Sequence, residues 1–368
     1  MNLSDLTRNA NMLRGSLRKH GYMRWWHSFS GVSVDSGDTR TFFVEFFIMN
    51  PALGRKRPVL GQHPYYKKRG MKPSYVMMNV GVFPDEKGNP GKQLHAFYPI
   101  SALQATNSPL IMQVDDCIYR EDRISGYVEV TPEEARHRSY MTDAGYMHWD
   151  LEVQKAVSCH TGFFSGKLAE FFNILESYWH GEGIRSFFRG SVILDGEEFE
   201  VLPELSYGYA DKHWGRNFNS PWLQLNCANL ISTRTGQELR HSALALNGCC
   251  PRFLFFPLRR KLMIQLTYTG EDFVFTRCKF DTKETSKRFI WHILGQTKTA
   301  VIKISGSCTK DQMMHLKYEN PNAQVSKLPL LAGANGIGGI KLYRITPEGK
   351  ELLDTLELHN LFCEYRAE

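Results

Sequence analysis

Short runs of β-branched and aromatic residues, each closed by Pro or Gly, recur along nearly the whole chain and leave few folds open to it. "RTFFVEFFIMNP", "PSYVMMNVGVF", "QLHAFYPIS", "LIMQVDDCIYR" and "ISGYVEV" follow one another between residues 40 and 130 at the spacing of an antiparallel meander. The pattern resumes with "IRSFFRGSVILDGEEFEV", a hairpin with Asp195-Gly196 at its turn, and continues through "WLQLNCANL", "LMIQLTYTG", "DFVFTRCKF", "AVIKISGSC" and "GIKLYRI". Two segments break it. Residues 1–20 have the ragged apolar face of an amphipathic helix (Leu3, Leu6, Met12, Leu13), with Ser4 as N-cap and Gly21 as its end. Residues 167–178, "KLAEFFNILESY", place Leu168, Phe171, Phe172 and Leu175 on one helical face.

At 368 residues, two domains or one large β-assembly are expected. Aromatic residues at 12%, with 30 Gly and 16 Pro, favour strands and turns over helix bundles. The expected fold is mainly β: two antiparallel β-barrel or sandwich units, an N-terminal helix over 1–20 and one short central helix. The units are expected at 21–198 and 199–368, with a joint near 196–203 where strand signals restart.

No βαβ alternation occurs. "GANGIGG" (333–339) is followed by the strand-like "IKLYRI" rather than a helix, so a glycine-rich hairpin loop is expected there instead of a dinucleotide site. The eight cysteines form no CxxC pair, and His27, His160, His180 and His241 have no partner at ligand spacing; no metal site is expected. There is no nucleophile-elbow signature. The net charge of +7 is spread along the chain, densest over 54–70. That run reads as a solvated loop or as a patch for phosphate or anionic lipid, and no nucleic-acid motif accompanies it. With no apolar leader or long apolar span, a soluble, cytoplasmic protein with mostly reduced thiols is expected, peripheral membrane contact being left open.

Within "YGYADKHWGRNFNSPWLQLNCANL" (207–230), Asp211, Lys212, Trp214, Gly215, Phe218, Trp222, Gln224 and Asn226 match, in order and spacing, the hallmark of one family. The segment resembles the tocopherol cyclase family. "YMRWWHSFSG" with "TFFVEFFIMNP" is a looser match to that family's N-terminal part. Here Arg24-Trp25 stand where the family has Glu-Gly, and Asn50 replaces an acid. The resemblance implies two lipocalin-like units, kinship with carotenoid hydratases and polyketide cyclases, and a greasy cavity acting without metal or organic cofactor.

On that resemblance the expected function is an acid/base cyclase, isomerase or hydratase of a hydrophobic small molecule such as a prenylated quinol, terpenoid, polyketide or lipid. A lipocalin-type carrier of lipid, quinone or pigment is the alternative, since one cavity serves both ends. A third reading is an interaction protein using the basic loop. Protonating an alkene needs a carboxyl kept protonated, which burial among rings achieves. Asp211 is the candidate, with Tyr209 and His213 as further catalytic residues. Trp26, Trp214 and Trp222 would shield and stabilise a cation through their ring faces, worth about 2 kcal/mol each when desolvated. Gln224, Asn226 and Lys212 complete the substrate-binding set. Equally, Trp214 and Phe218 would serve as a barrel plug, and Asp211 with Lys212 as an ion pair.

Overall fold

The computed structural model describes residues 9–53, 68–70, 73–138, 140–159, 176–217, 221–249, 252–253, 256–257, 259–321 and 330–366. Ser4, His160, Phe218, most of the basic run over 54–70 and the expected helix up to residue 175 lie outside them.

The chain is mostly β, and its two sheets divide it cleanly in sequence. The first comprises β1 (Tyr22–Ser33), β2 (Thr39–Met49), β3 (Tyr75–Val82), β4 (Lys92–Tyr98), β5 (Gln104–Asn107) and β6 (Leu110–Val114). To these it adds β7 (Cys117–Arg120), β8 (Arg123–Val130), β9 (Gly145–Val157), β10 (Ser177–Leu194), β11 (Glu197–Val201) and β12 (Gly208–Gly215). This sheet curls until β4 lies against β8, closing a barrel.

The second part begins with β13 (Pro221–Cys227), β14 (Asn229–Ser232), β15 (Ala243–Cys249), the short ribbon β16 (Arg252–Phe253) and β17 (Phe256–Pro257), then β18 (Lys261–Tyr268) and β19 (Glu271–Phe275). It continues with β20 (Cys278–Glu284), β21 (Arg288–Gln296), β22 (Ala300–Thr309), β23 (Met314–Leu316), β24 (Leu330–Thr346) and β25 (Gly349–Arg366). Apart from the separate β16–β17 ribbon, these form a half-barrel in which β25 runs between β13 and β24.

Three apolar cores result. One fills the first barrel, one lines the second sheet, and the third lies between the sheets, where Trp26, Phe43, Phe47 and Tyr209 meet Ala245, Met263 and Phe362. Strands β1, β2, β3 and β12 are therefore buried on both faces. That is why the runs "FFVEFFIM" of β2 and "YVMMNVGV" of β3 are nearly continuously apolar instead of alternating, and why the polar residues of β1 and β12 are buried.

Four sequence expectations change. The motif strand β12 pairs with β1 and β10, so the sheets change over between Gly215 and Pro221, downstream of the joint expected at 196–203. Within residues 9–20 the chain makes a 3-10 turn, Gly15–Arg18, rather than a continuous helix, because Gly15 takes a positive φ of 54°. It still buries Leu13 and Leu17. Ser177 and Tyr178, expected to end the central helix, open β10, while a four-residue helix α1 (Pro132–Ala135) with a Thr131/Glu134 capping box lies elsewhere.

The glycine run 333–339 is not a loop but lies inside β24, which shifts register there against β25. A Cβ on Gly338 would meet the Ser305 carbonyl oxygen at 2.3 Å, so this glycine serves close strand approach. The Asp195-Gly196 hairpin is as expected: both residues have positive φ, 51° and 94°, as a two-residue turn between β10 and β11 requires.

Candidate functional site between the sheets

Side-chain alternation along β12 splits the motif in two. Tyr209, Asp211 and His213 face the second sheet, while Lys212 and Trp214 point into the first barrel. Lys212 Nζ donates to the carbonyl oxygens of Asn9 (2.9 Å) and Ala10, and lies over the rings of Trp25 (4.7 Å from the centroid) and Trp214 (5.5 Å). Burial lowers its pKa to about 7, against the pull of Glu182 and Glu121. Trp214 stacks on Tyr178 at 5.4 Å in the barrel core. Neither residue joins the others.

Asp211 is fully buried, and one of its oxygens collects four donors. Oδ2 accepts from Tyr209 Oη (2.7 Å), Gln224 Nε2 (2.8 Å), Trp179 Nε1 (2.9 Å) and His213 Nε2 (3.2 Å). Gln224 Nε2 also donates to Tyr209 Oη at 2.9 Å, so a residue of β13 ties the second sheet to the first. Oδ1 of Asp211 has no hydrogen-bond partner among the described residues. Burial opposes ionisation, but His213, Arg24 and the Tyr209 hydrogen bond outweigh it and hold the carboxyl well below the usual range. This overturns the expectation of a protonated Asp211: four donors aimed at one oxygen favour the carboxylate. The His213 imidazole is lowered by burial and neutral near pH 7, and its Nε2–H must face the carboxylate, which can only accept. Burial and Asp211 raise the Tyr209 phenol, which stays a donor.

Trp26 registers with Asp211 on one side and with Glu45 on the other. The two carboxyls are thus on one face of the first sheet, roughly 10 Å apart, two strand spacings. Glu45 is fully buried and accepts from Asn79 Nδ2 (2.6 Å), Tyr318 Oη (2.9 Å) and Arg24 Nη1 (3.3 Å). Burial, reinforced by Glu364 and offset by Arg24, Asn79 and Tyr318, raises its pKa to about 7. Arg24 lies 3.9 Å from Glu364 of β25, and its guanidinium carbon is 5.5 Å from the Trp26 ring centroid. The Trp26 ring also stacks on Phe43 at 5.0 Å.

Asn226 faces the same gap from the second sheet. With Tyr209, Ser28 and Thr41 it lines a cavity of about 20 Å³, and neither of its amide atoms has a partner among the described residues. Trp222 belongs to β13 by its backbone; its side chain lies outside the described residues.

Sequence reasoning therefore places Asp211, Tyr209, His213, Gln224, Trp26 and Asn226 at one interface and misplaces Lys212 and Trp214. It misses Glu45, Arg24, Trp179, Asn79 and Tyr318. The signal for two of them was a lone charge inside an apolar run, Glu45 in "TFFVEFFIM" and Arg24 in "YMRWW". Such a charge inside a doubly buried strand must meet a partner.

No family model matches the chain, and no curated protein sequence matches it. Among solved structures it is similar to a protein of Nitrosomonas europaea described as an AttH, with a TM-score of 0.43 and 13% identity over 92% of each chain. It is also similar to kievitone hydratase of Nectria haematococca, with a TM-score of 0.42 and 10% identity, covering 94% of this chain and 89% of that one. Likeness at this level carries no assignment of activity.

Proposed function

We propose that the chain is a cofactor-independent acid/base cyclase, isomerase or hydratase of a hydrophobic small molecule, working between the two sheets, which must part to admit it because the gap beside Asn226 holds only about 20 Å³. The observation that carries this reading is the pair of buried carboxyls flanking Trp26, pushed in opposite directions: Asp211 ionised, Glu45 with a pKa of about 7. Two acids separated in this way supply a proton donor and a fixed negative charge in one site. Glu45 donates the proton to the substrate's double bond. The cation that forms is held by the Trp26 ring face and the Asp211 carboxylate, with Tyr209 and His213 fixing that carboxylate and Asn226 orienting the substrate's polar group; capture by the substrate's own hydroxyl or by water, whose proton returns to Glu45, closes the cycle.

The test begins with mass spectrometry of an organic extract of the purified protein, to identify a bound molecule. That molecule is then turned over in deuterated water. One deuterium should appear on carbon in the product, and Glu45→Gln should lower turnover by about 10² or more. Binding with no conversion would leave the carrier reading, and full activity in Glu45→Gln would remove the acid assignment.

A further inference from the structure

The outer face of the second sheet carries a feature that the inter-sheet site does not use. Strand pairing sets Lys279, Leu294, Lys303, Lys341 and Thr355 side by side across β20, β21, β22, β24 and β25. Lys303 and Lys341 are direct cross-strand partners, an arrangement that like charges make unfavourable. None of the three lysines makes an ion pair among the described residues; Lys303 Nζ lies 5.8 Å from the Tyr343 ring centroid. The neighbouring row runs Asp281, His292, Ser305, Gly339, Glu357, so its acids sit at the two ends and its middle has almost no side chain.

The result is an open groove of about 620 Å³ floored by Ser305 and Gly339 and walled by the lysines and Leu294, with Asp281 and His292 at the β20–β21 end, away from the Lys303–Lys341 pair. That volume lies within the roughly 300–1,000 Å³ of small-molecule sites. Packing does not impose the glycine at 339. A Cβ there would meet nothing nearer than the Leu356 carbonyl oxygen at 3.4 Å, and its φ is not positive, unlike the crowded Gly338. Beyond the floor stands Ile337, 53% exposed.

We propose that this groove binds one anionic amphiphile, a long-chain carboxylate. Its head group bridges Lys303 and Lys341 and relieves their repulsion. Its chain lies over Gly339 and Ser305 toward Ile337, against the lysine stems and Leu294. The site is separate from the one between the sheets and stands whether or not that reading holds.

Calorimetric titration of the full chain with decanoate below its micelle concentration tests this. Decanoate should bind one to one, at least tenfold more tightly than decanol, and acetate should not compete. The double variant Lys303→Gln/Lys341→Gln should weaken binding at least tenfold, and Gly339→Leu should abolish it, both with an unchanged circular dichroism spectrum. Asp211→Asn should bind as the parent does. The proposal is overturned by equal affinity for decanoate and decanol, by lysine variants that bind like the parent, or by weakened binding in Asp211→Asn, which would put the ligand between the sheets. Association with anionic phospholipid vesicles but not with free decanoate would also overturn it, in favour of a membrane contact.

Discussion

Asp211 and Lys212 are neighbours in sequence and stand back to back across the β12 backbone. The carboxylate takes its donors from the inter-sheet side, and the ammonium takes its acceptors, Asn9 and Ala10, from the barrel side. The ion pair that adjacency suggested does not form.

Substitution should separate the two. On an identified substrate, Asp211→Asn is expected to lower turnover by about 10² and, by weakening charge-assisted hydrogen bonds, to cost about 1–3 kcal/mol of stability. Lys212→Met should leave turnover within about twofold. Steady-state kinetics on both variants checks this, and a larger kinetic loss in Lys212→Met than in Asp211→Asn would move the site into the barrel.

Glu45 makes stability pH-dependent. Its carboxyl rises from 4.5 to about 7 on folding, so the folded state holds the proton more tightly than the unfolded chain does. The stabilisation is fully present below pH 4.5 and is lost as pH climbs to about 7, an order of ~3 kcal/mol. Urea unfolding of the parent and of Glu45→Gln at pH 4, 6 and 8 should show the parent losing this increment relative to the variant. Activity should fall above pH 7 as Glu45 ionises. Parallel stability profiles would mean that Glu45 titrates in the folded protein where it does in the unfolded chain.

Gln224 is the donor that crosses from the second sheet to Asp211. Gln224→Leu removes that bond and the one to Tyr209, and is expected to cost about 1–3 kcal/mol. It should also raise the apparent pKa of Asp211, which loses a donor to its charged form. Carboxyl-carbon NMR on the labelled protein reads that shift, and an unmoved resonance would show that the inter-sheet bond does not support the charge.

Trp214 and Trp26, grouped together by sequence, should behave differently. Trp214→Ala opens a hole in the first barrel and is expected to cost about 3–5 kcal/mol, with little change in ligand affinity. Trp26→Leu keeps most of the packing but removes the ring face between the two carboxyls, and should lower turnover at unchanged affinity. Thermal melts beside kinetics distinguish the two patterns.

The strands and the Asp195-Gly196 hairpin were legible because local composition and turn chemistry decide them. The convergence of Tyr209, Asp211 and His213 was legible from alternation alone. The sheet to which β12 belongs was not, since its pairing of Asp211 with Trp26 spans most of the first half of the chain and leaves no local mark. The glycine run misled because glycine signals a turn and a close backbone approach with the same letter. The protonation of Asp211 misled because burial was weighed without donors, and two of these, Trp179 and Gln224, come from other strands.

The order in which the strands pair bears on how the protein is made. β1 lies between β2 and two much later strands, β11 and β12, so one of its edges waits for residues up to Gly215. At about 5–20 residues per second of synthesis, that wait is roughly 10–40 s. Throughout it, the row Tyr22, Arg24 and Trp26 has an unpaired backbone edge open to other chains. Arg24 and Glu45 then stand as charges within the otherwise apolar runs Tyr22–Trp26 and Phe42–Met49, which makes the nascent edge a poorer template for aggregation until β12 arrives to cover it.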